Sequence, residues 1–315
     1  GGGINGAGIA RDAAGRGHKV VLLEQSDLAA ATSSASTKLI HGGLRYLELF
    51  EFRLVREALV ERERLLAIAP HIIRPMQFVL PHVEGLRPRW QIRLGLFFYD
   101  HLGGRHRLPA SRSIYLAASE IGNVLRDGIR HGFIYSDCSV DDSRLVVLNA
   151  MDAAQRGASI QTRTKFLGAQ TVNNLWQAEL EDQKTGARST ITARALVNAA
   201  GPWVEEVLHR VPGTHNEAQI RLVKGSHIVV PRMYDGEHAF LLQNPDGRVV
   251  FTIPYENEYT LIGTTDVSCQ ENPASVSISE AEIAYLCETV NGYFARSIAP
   301  SDVKWTYAGV RPQSD

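Results

Sequence analysis

Cysteine is scarce in this sequence. The 315 residues include three, Cys138, Cys269 and Cys287, far apart and with no C-x-x-C pair. That spacing speaks against a disulfide framework, a zinc site and an iron–sulfur cluster, and a reducing compartment is the simplest setting. No apolar run approaches the length of a membrane-spanning helix, so none is expected. Neither charge sign is in excess: 33 Lys and Arg stand against 34 Asp and Glu, a formal net charge of −1. A global positive field for holding nucleic acid is therefore excluded. What is present is ordinary for a globular chain: 44% hydrophobic and 21% charged residues, enough length for two domains, and no repeat or low-complexity linker.

The first residue is Gly, and the chain opens inside a motif and stops without a terminator. Both ends are expected to be cut. The opening Gly1-x-Gly3-x-x-Gly6 has the glycine spacing of a dinucleotide-binding turn. The first glycine permits the turn, the second lets backbone approach a pyrophosphate, and the third lets a helix pack close. A helix with Ala10, Ala13 and Ala14 should follow and end at Gly15 or Gly17. The apolar strand Lys19–Glu24 comes next, and Glu24 lies where a carboxylate would take ribose hydroxyls. The motif serves NAD and FAD alike.

Residues 28–47, LAAATSSASTKLIHGGLRYL, are small and polar with no regular period. Thr32, Ser33 and Ser34 could wrap a diphosphate, and Gly42 and Gly43 could lie flat against a ring; a plain surface loop is the alternative. Ala195–Gly201 reads as an apolar strand ending small, after hairpin turns at Asn173-Asn174 and Thr185-Gly186. Helices are expected over Glu51–Ala69 (apolar at Phe52, Val55, Leu59 and Leu66), Arg87–Leu102, Ser139–Gly157, Trp203–Val211 and Ser279–Ile298. In the third, Ser139 with Asp142 resembles a capping box and Val147, Ala150, Met151 and Ala154 form one stripe. Met76–Leu80, 218–266 and Lys304–Val310 should be strands, those of 218–266 antiparallel. In Arg87–Leu102 the residues Trp90, Leu94, Phe97 and Phe98 share a face, with Arg87, Arg89 and Arg93 near the start. That suits either a lipid headgroup layer or core packing.

The stretches TSSASTKLIHGGLRYLELFEFRLV, YSDCSVDDSRLV, VNAAGPWV, RLVKGSHIVVPR, IGTTD and WTYAGVRP, in this order, resemble the aerobic FAD-dependent glycerol-3-phosphate dehydrogenases. These belong to the superfamily related to D-amino-acid oxidase. Ala200 stands where many flavoproteins have Thr before Gly201. The resemblance implies an α/β fold: a Rossmann-like FAD-binding domain with an inserted substrate domain on a mainly antiparallel sheet. The expected division is 1–70, 135–212 and 300–315 for FAD, and 71–134 and 213–299 for substrate. The family continues into a lysine-bearing segment and a C-terminal cap domain, both expected to be absent from these 315 residues.

The implied reaction is oxidation of sn-glycerol 3-phosphate to dihydroxyacetone phosphate, with FAD taking the hydride and a membrane quinone the electrons. Such an enzyme would be cytoplasmic, peripheral on the inner face of the membrane, and without a nucleic-acid partner. An oxygen-using oxidase or a catalytically silent flavin binder are the alternatives. The reaction needs cations for phosphate and a base for the C2 hydroxyl proton. Arg45 and Arg311 lie in motifs that the resemblance turns toward substrate; otherwise they are surface salt-bridge residues. Tyr46 is a hydrogen-bonding or a packing ring. His227 is a base with a near-neutral pKa or a structural histidine. His41 is expected near the flavin, Lys38 as support for the cofactor loop, and Gly201 against the cofactor. Thr264, Thr265 and Asp266 would order the site.

Overall fold

The computed structural model describes residues 1–104, 107–213 and 220–314. Six α-helices are present in the described residues: α1 (Ile4–Gly15), α2 (Phe52–Ile68), α3 (Arg89–Leu102), α4 (Asp142–Gln155), α5 (Val204–His209) and α6 (Glu280–Tyr293). The strands are β1 (Val21–Leu23), β2 (Leu39–Ile40), β3 (Ile73–His82), β4 (Arg112–Tyr115), β5 (His131–Val140), β6 (Ser159–Gln161), β7 (Thr164–Val172), β8 (Leu175–Asp182) and β9 (Arg188–Ala193). They continue with β10 (Ile220–Pro231), β11 (Ala239–Gln243), β12 (Val249–Tyr255), β13 (Tyr259–Gly263), β14 (Val267–Ser268) and β15 (Trp305–Ser314).

A ten-stranded sheet runs β14-β10-β13-β12-β11-β3-β5-β2, with β15 beside β10 and β4 beside β5. Every pairing is antiparallel except β3 with β11. Alternation along β10 sorts its side chains to two faces. Ile228 and Val230 pack with Leu286, Val290 and Tyr293 of α6. Val229, Leu241 and Ile253 pack instead with Val55 and Leu59 of α2 and with Ile92, Leu96 and Tyr99 of α3. His227 shares the α2–α3 face by the same alternation.

The elements around the glycine turn form a smaller unit. β1 and β6 pair in parallel, and α1 lies on α4 through Ala7, Ala10 and Ala14 against Ala150 and Ala153. Side chains this small let two helices approach closely. β7, β8 and β9 form a meander, with Asn173 and Asn174 both at positive φ in its first turn.

Several sequence expectations change here. The division at 134/135 falls inside β5, and 305–314 pairs with β10 along its length. The start of the strand region at 218 lies outside the described residues. Ser139 is the penultimate residue of β5; the cap of α4 is Asp141, whose side chain accepts from the Arg144 N–H. The buried stripe of α4 is Leu145, Val146, Ala150 and Ala153, while Val147 and Met151 are exposed. Packing on α1 selects the small side chains and turns the larger ones out. Phe52 is likewise at the surface rather than in the core. Ala195–Gly201 is not a strand. Asn198 bonds its own neighbourhood, donating to Val204 O and accepting from Ala200 N, which competes with a ladder.

Candidate functional site

The glycine turn is built by contact. A Cβ on Gly1 would meet the Ala199 carbonyl oxygen at 2.4 Å, and one on Gly6 would meet the Gly1 carbonyl oxygen at 1.8 Å. At Gly3, the residue before α1, the nearest atom would be the Ser33 hydroxyl at 3.1 Å, so no backbone blocks that side. Ser33 Oγ accepts from Ile4 N–H at 3.0 Å. Glu24, just past β1, accepts from Gly2 N–H at 2.6 Å and from Ser26 N–H at 2.8 Å. A carboxylate and hydroxyls gathered at a helix start whose approach at Gly3 is open fit the ribose and pyrophosphate of a dinucleotide.

The loop after Ala31 is held from far along the chain. Thr32 Oγ1 donates to Val310 O, and Tyr307 Oη donates to Ser36 O at 2.8 Å. Lys38 Nζ pairs with Asp142 at 2.9 Å and donates to Ser34 O; Ser36 Oγ donates to Asp142 at 2.7 Å. Ser34 Oγ turns back to Ala31 O. Lys38 thus ties Ser34 to Asp142 across this loop.

These contacts carry the loop to His227. The ring is 2% exposed, stacks on Tyr307 with centroids 4.7 Å apart, and has Nε2 2.9 Å from Thr37 Oγ1. Gly263 faces it in the ladder, where a Cβ would lie 2.1 Å from ring Cδ2. Nδ1 is buried without a partner among the described residues. Burial, then the cations of Lys38 and Arg311, push the imidazole down to about 3, not the near-neutral value expected from sequence. It is neutral at working pH.

Arg311 pairs with Asp266 at 3.5 Å, and its Nε is buried without a partner among the described residues. Thr265 faces the other way. Its hydroxyl accepts from Ser226 N–H and donates to Glu282 Oε1 at 2.8 Å. Glu282 also takes Ser226 Oγ, the Ser279 cap and Lys224 Nζ. Burial pushes this carboxyl up, but the Ser279 N–H and the Lys224, Ser226 and Thr265 donors outweigh it and hold it at about 2. Thr264 Oγ1 bonds only the Thr265 carbonyl.

His41, Gly42 and Gly43 lie over the same face. His41 is exposed, its ring 6.2 Å from Phe251, and Phe251 pairs with Gly263. Gly43 has φ of 70°, in the region that favours glycine, and Tyr46 covers it. Arg45 and Tyr46 are exposed on the 3₁₀ turn Leu44–Leu49, and Arg45 pairs with no described carboxylate. Neither is brought against His227. Gly201 has φ of 55° and leads the short turn into α5.

Sequence reasoning missed Thr37 and Tyr307, although both sit inside the quoted motifs TSSASTK and WTYAGVRP. It also missed Asp142, Lys224 and Glu282, which carry no local signal for these roles.

A model of the family described as FAD dependent oxidoreductase matches residues 1–315. The chain belongs to this family. Its FAD requirement accords with the dinucleotide cradle above, and its fold with the mixed sheet. The chain is 57% identical over 315 residues to a glycerol-3-phosphate dehydrogenase of Pseudomonas aeruginosa, covering 100% of this chain and 61% of that protein. It is 55% identical over 315 residues to a D-erythritol 1-phosphate dehydrogenase of Brucella abortus, covering 100% and 63%. A crystal structure of the glycerol-3-phosphate dehydrogenase from Bacillus halodurans complexed with FAD superposes with a TM-score of 0.75 at 29% identity, covering 100% of this chain and 56% of that one. The chain thus spans about three fifths of the length of these relatives.

For this FAD-dependent family the Glu24 contact yields a direct expectation. Glu24→Gln should weaken FAD binding by about 1–3 kcal/mol, the scale of a charge-assisted hydrogen bond. Titration of apoprotein with FAD checks it, and parental affinity would remove Glu24 from the site.

Proposed function

We propose that this chain catalyses oxidation of sn-glycerol 3-phosphate to dihydroxyacetone phosphate, using FAD and passing electrons to a membrane quinone. The observation that carries the reading is the buried neutral imidazole of His227, with a free Nδ1, set beside Lys38 and Arg311. The names of the relatives supply the substrate class.

When bound, FAD supplies the hydride acceptor for C2. Arg311 and Arg45 bind the phosphate, Arg being suited to forked bonds with its oxygens. Tyr46 orients the substrate from the same turn as Arg45. His227 takes the C2 hydroxyl proton on Nδ1 as the alcohol becomes a ketone. Its low proton affinity in the free protein is partly the work of Arg311. A dianionic phosphate on Arg311 offsets that field and makes the imidazole a better base when substrate is present. His41, Gly42 and Gly43 line the flavin side, and Gly201 lies beside the diphosphate with Thr32, Ser33 and Ser34.

Anaerobic addition of sn-glycerol 3-phosphate to the flavin-loaded protein should bleach the flavin. A parallel arm with D-erythritol 1-phosphate tests the second reading that the Brucella abortus relative favours. Peroxide formed in air without quinone would point to an oxidase. Flavin retained but unbleached by either substrate would overturn dehydrogenation.

Quinone as acceptor implies a membrane surface, and α3 supports one. Its Trp90 is 69% exposed, and Leu94, Phe97 and Phe98 are exposed beside it. Phe52 packs edge-on to Phe98, and Phe50, 79% exposed, adjoins Phe52. The core side of α3 is Ile92, Leu96 and Tyr99, so the aromatic face is not core packing. Arg87 pairs with Glu48 and Arg93 bonds Ser111, which leaves Arg89 as the uncommitted charge at the helix start. No described helix is long and apolar enough to cross a membrane. The patch suits shallow burial in headgroups, with the protein peripheral on the cytoplasmic face. Trp90→Ala with Phe97→Ala should lower co-sedimentation with anionic vesicles at least several-fold while leaving flavin bleaching intact. Parental vesicle binding would sink the lipid role.

A further inference from the structure

We propose that Tyr99 is a positioning residue for the His41–Gly43 segment, holding the Gly42 amide while the buried Asp137–Arg62 pair holds Tyr99. The proposal rests on the reading of that segment as flavin-facing. Gly42 N–H donates to Tyr99 Oη at 2.7 Å in a buried contact. The phenol donates in turn to Asp137, with Oη 2.8 Å from each carboxylate oxygen. Arg62 Nη1 donates to Asp137 Oδ1 at 2.7 Å and to Ser136 O, and Nη2 donates to Glu63. Asp137 is 1% exposed and Arg62 4%.

The direction of these bonds is fixed. A carboxylate accepts only, so the phenol proton is committed to Asp137 and the phenol oxygen is left to face Gly42. Burial and the Asp137 charge push the Tyr99 phenol up, so it keeps its proton at any working pH. Charge-assisted bonds of this kind are stronger and more directional than neutral ones. Only glycine fits here: a Cβ at Gly42 would meet Leu59 at 2.4 Å and Tyr99 Oη at 2.8 Å. The amide is thus clamped between α2 and α3, and at Gly43 the chain turns through positive φ toward Tyr46. A buried ion pair is a poor device for stability alone, because apolar residues often serve as well. What it delivers here is one orientation of one amide next to His41.

Tyr99→Phe keeps the edge-on packing against Tyr135 and removes only the hydroxyl. Amide hydrogen exchange in the Leu39–Leu47 stretch should then speed up about tenfold, and the FAD dissociation constant should rise about tenfold. Leu96→Val, a cavity on the same helix face chosen to match the loss of melting temperature, should move neither. Faster exchange with parental FAD affinity would reduce Tyr99 to a structural bond and overturn the proposal. So would a Leu96→Val protein that moved both readouts as far. Parental protein that takes up no FAD would sink the flavin reading itself. Exchange in Tyr99→Phe would still decide whether the phenol holds the segment, parental exchange overturning it.

Discussion

His227→Asn should slow reduction of the bound flavin by glycerol 3-phosphate by about 10²–10⁴-fold, the usual contribution of a general base. Substrate affinity should change little, because the arginines bind the phosphate. Anaerobic stopped-flow bleaching reads this step apart from quinone kinetics. The parent should show no acid limb from His227 near neutrality in kcat/KM, since the free imidazole is pushed down to about 3. In kcat the limb should lie higher, because substrate phosphate offsets Arg311. The same residue governs acid stability. The unfolded imidazole gains its proton below about pH 6.5, the native one only near 3. Acid therefore favours the unfolded chain, and the parent should lose up to about 1.4 kcal/mol per pH unit from this group as pH falls through that window. His227→Asn removes that slope. Parental reduction rate would return His227 to a structural role.

Glu282→Leu should destabilise the protein by about 3–5 kcal/mol, because Lys224 is left as a buried, uncompensated charge. Lys224 is 6% exposed and Glu282 5%, and the carboxylate also gathers Ser226, Thr265 and Ser279. Adding Lys224→Met should recover much of the loss, since the pair then leaves together. Urea midpoints at constant slope measure both. The parental contribution has its own pH signature. With the folded carboxyl at about 2 and the unfolded one near 4.5, it is present above pH 4.5 and is lost as pH falls toward 2. A single variant within 1 kcal/mol of the parent would show that the pair carries no net weight.

Local chemistry was readable wherever a few neighbouring residues settle the backbone. The glycine turn, α1 and the Asn173-Asn174 hairpin are of that kind. Helical period found α2 with its buried Val55, Leu59 and Leu66, and found α3 while leaving open whether its aromatic face would be buried. Phe52 and the α3 aromatics are apolar and yet face out, because the sheet offers room for only one face. On α4 the apolar count favoured Val147 and Met151, whereas contact with α1 favoured alanine. Ala195–Gly201 has strand composition, but Asn198 spends its hydrogen bonds locally. In the site, Glu24, Lys38, His227 and Arg311 stood out by residue type and motif. Tyr99, Asp137, Lys224 and Glu282 did not, because their roles arise only when strands and helices far apart in the chain come together.

The strap joining Thr32 to Val310 and Ser36 to Tyr307 has a consequence for synthesis. Its first contact spans 278 residues. At about 5–20 residues per second, a ribosome needs roughly 15–60 s to make that length. For most of this time the glycine turn and its helix are outside the tunnel, while the loop beside them has nothing from β15 to fasten it. β10 likewise waits for β15, its partner over ten residue pairs. Vectorial folding can therefore complete α1, β1 and the β7–β9 meander early, but the flavin cradle closes only once β15 has been made. A nascent chain arrested before Tyr307 should present the loop of residues 32–38 to protease, and one arrested far enough on for β15 to have left the tunnel should not.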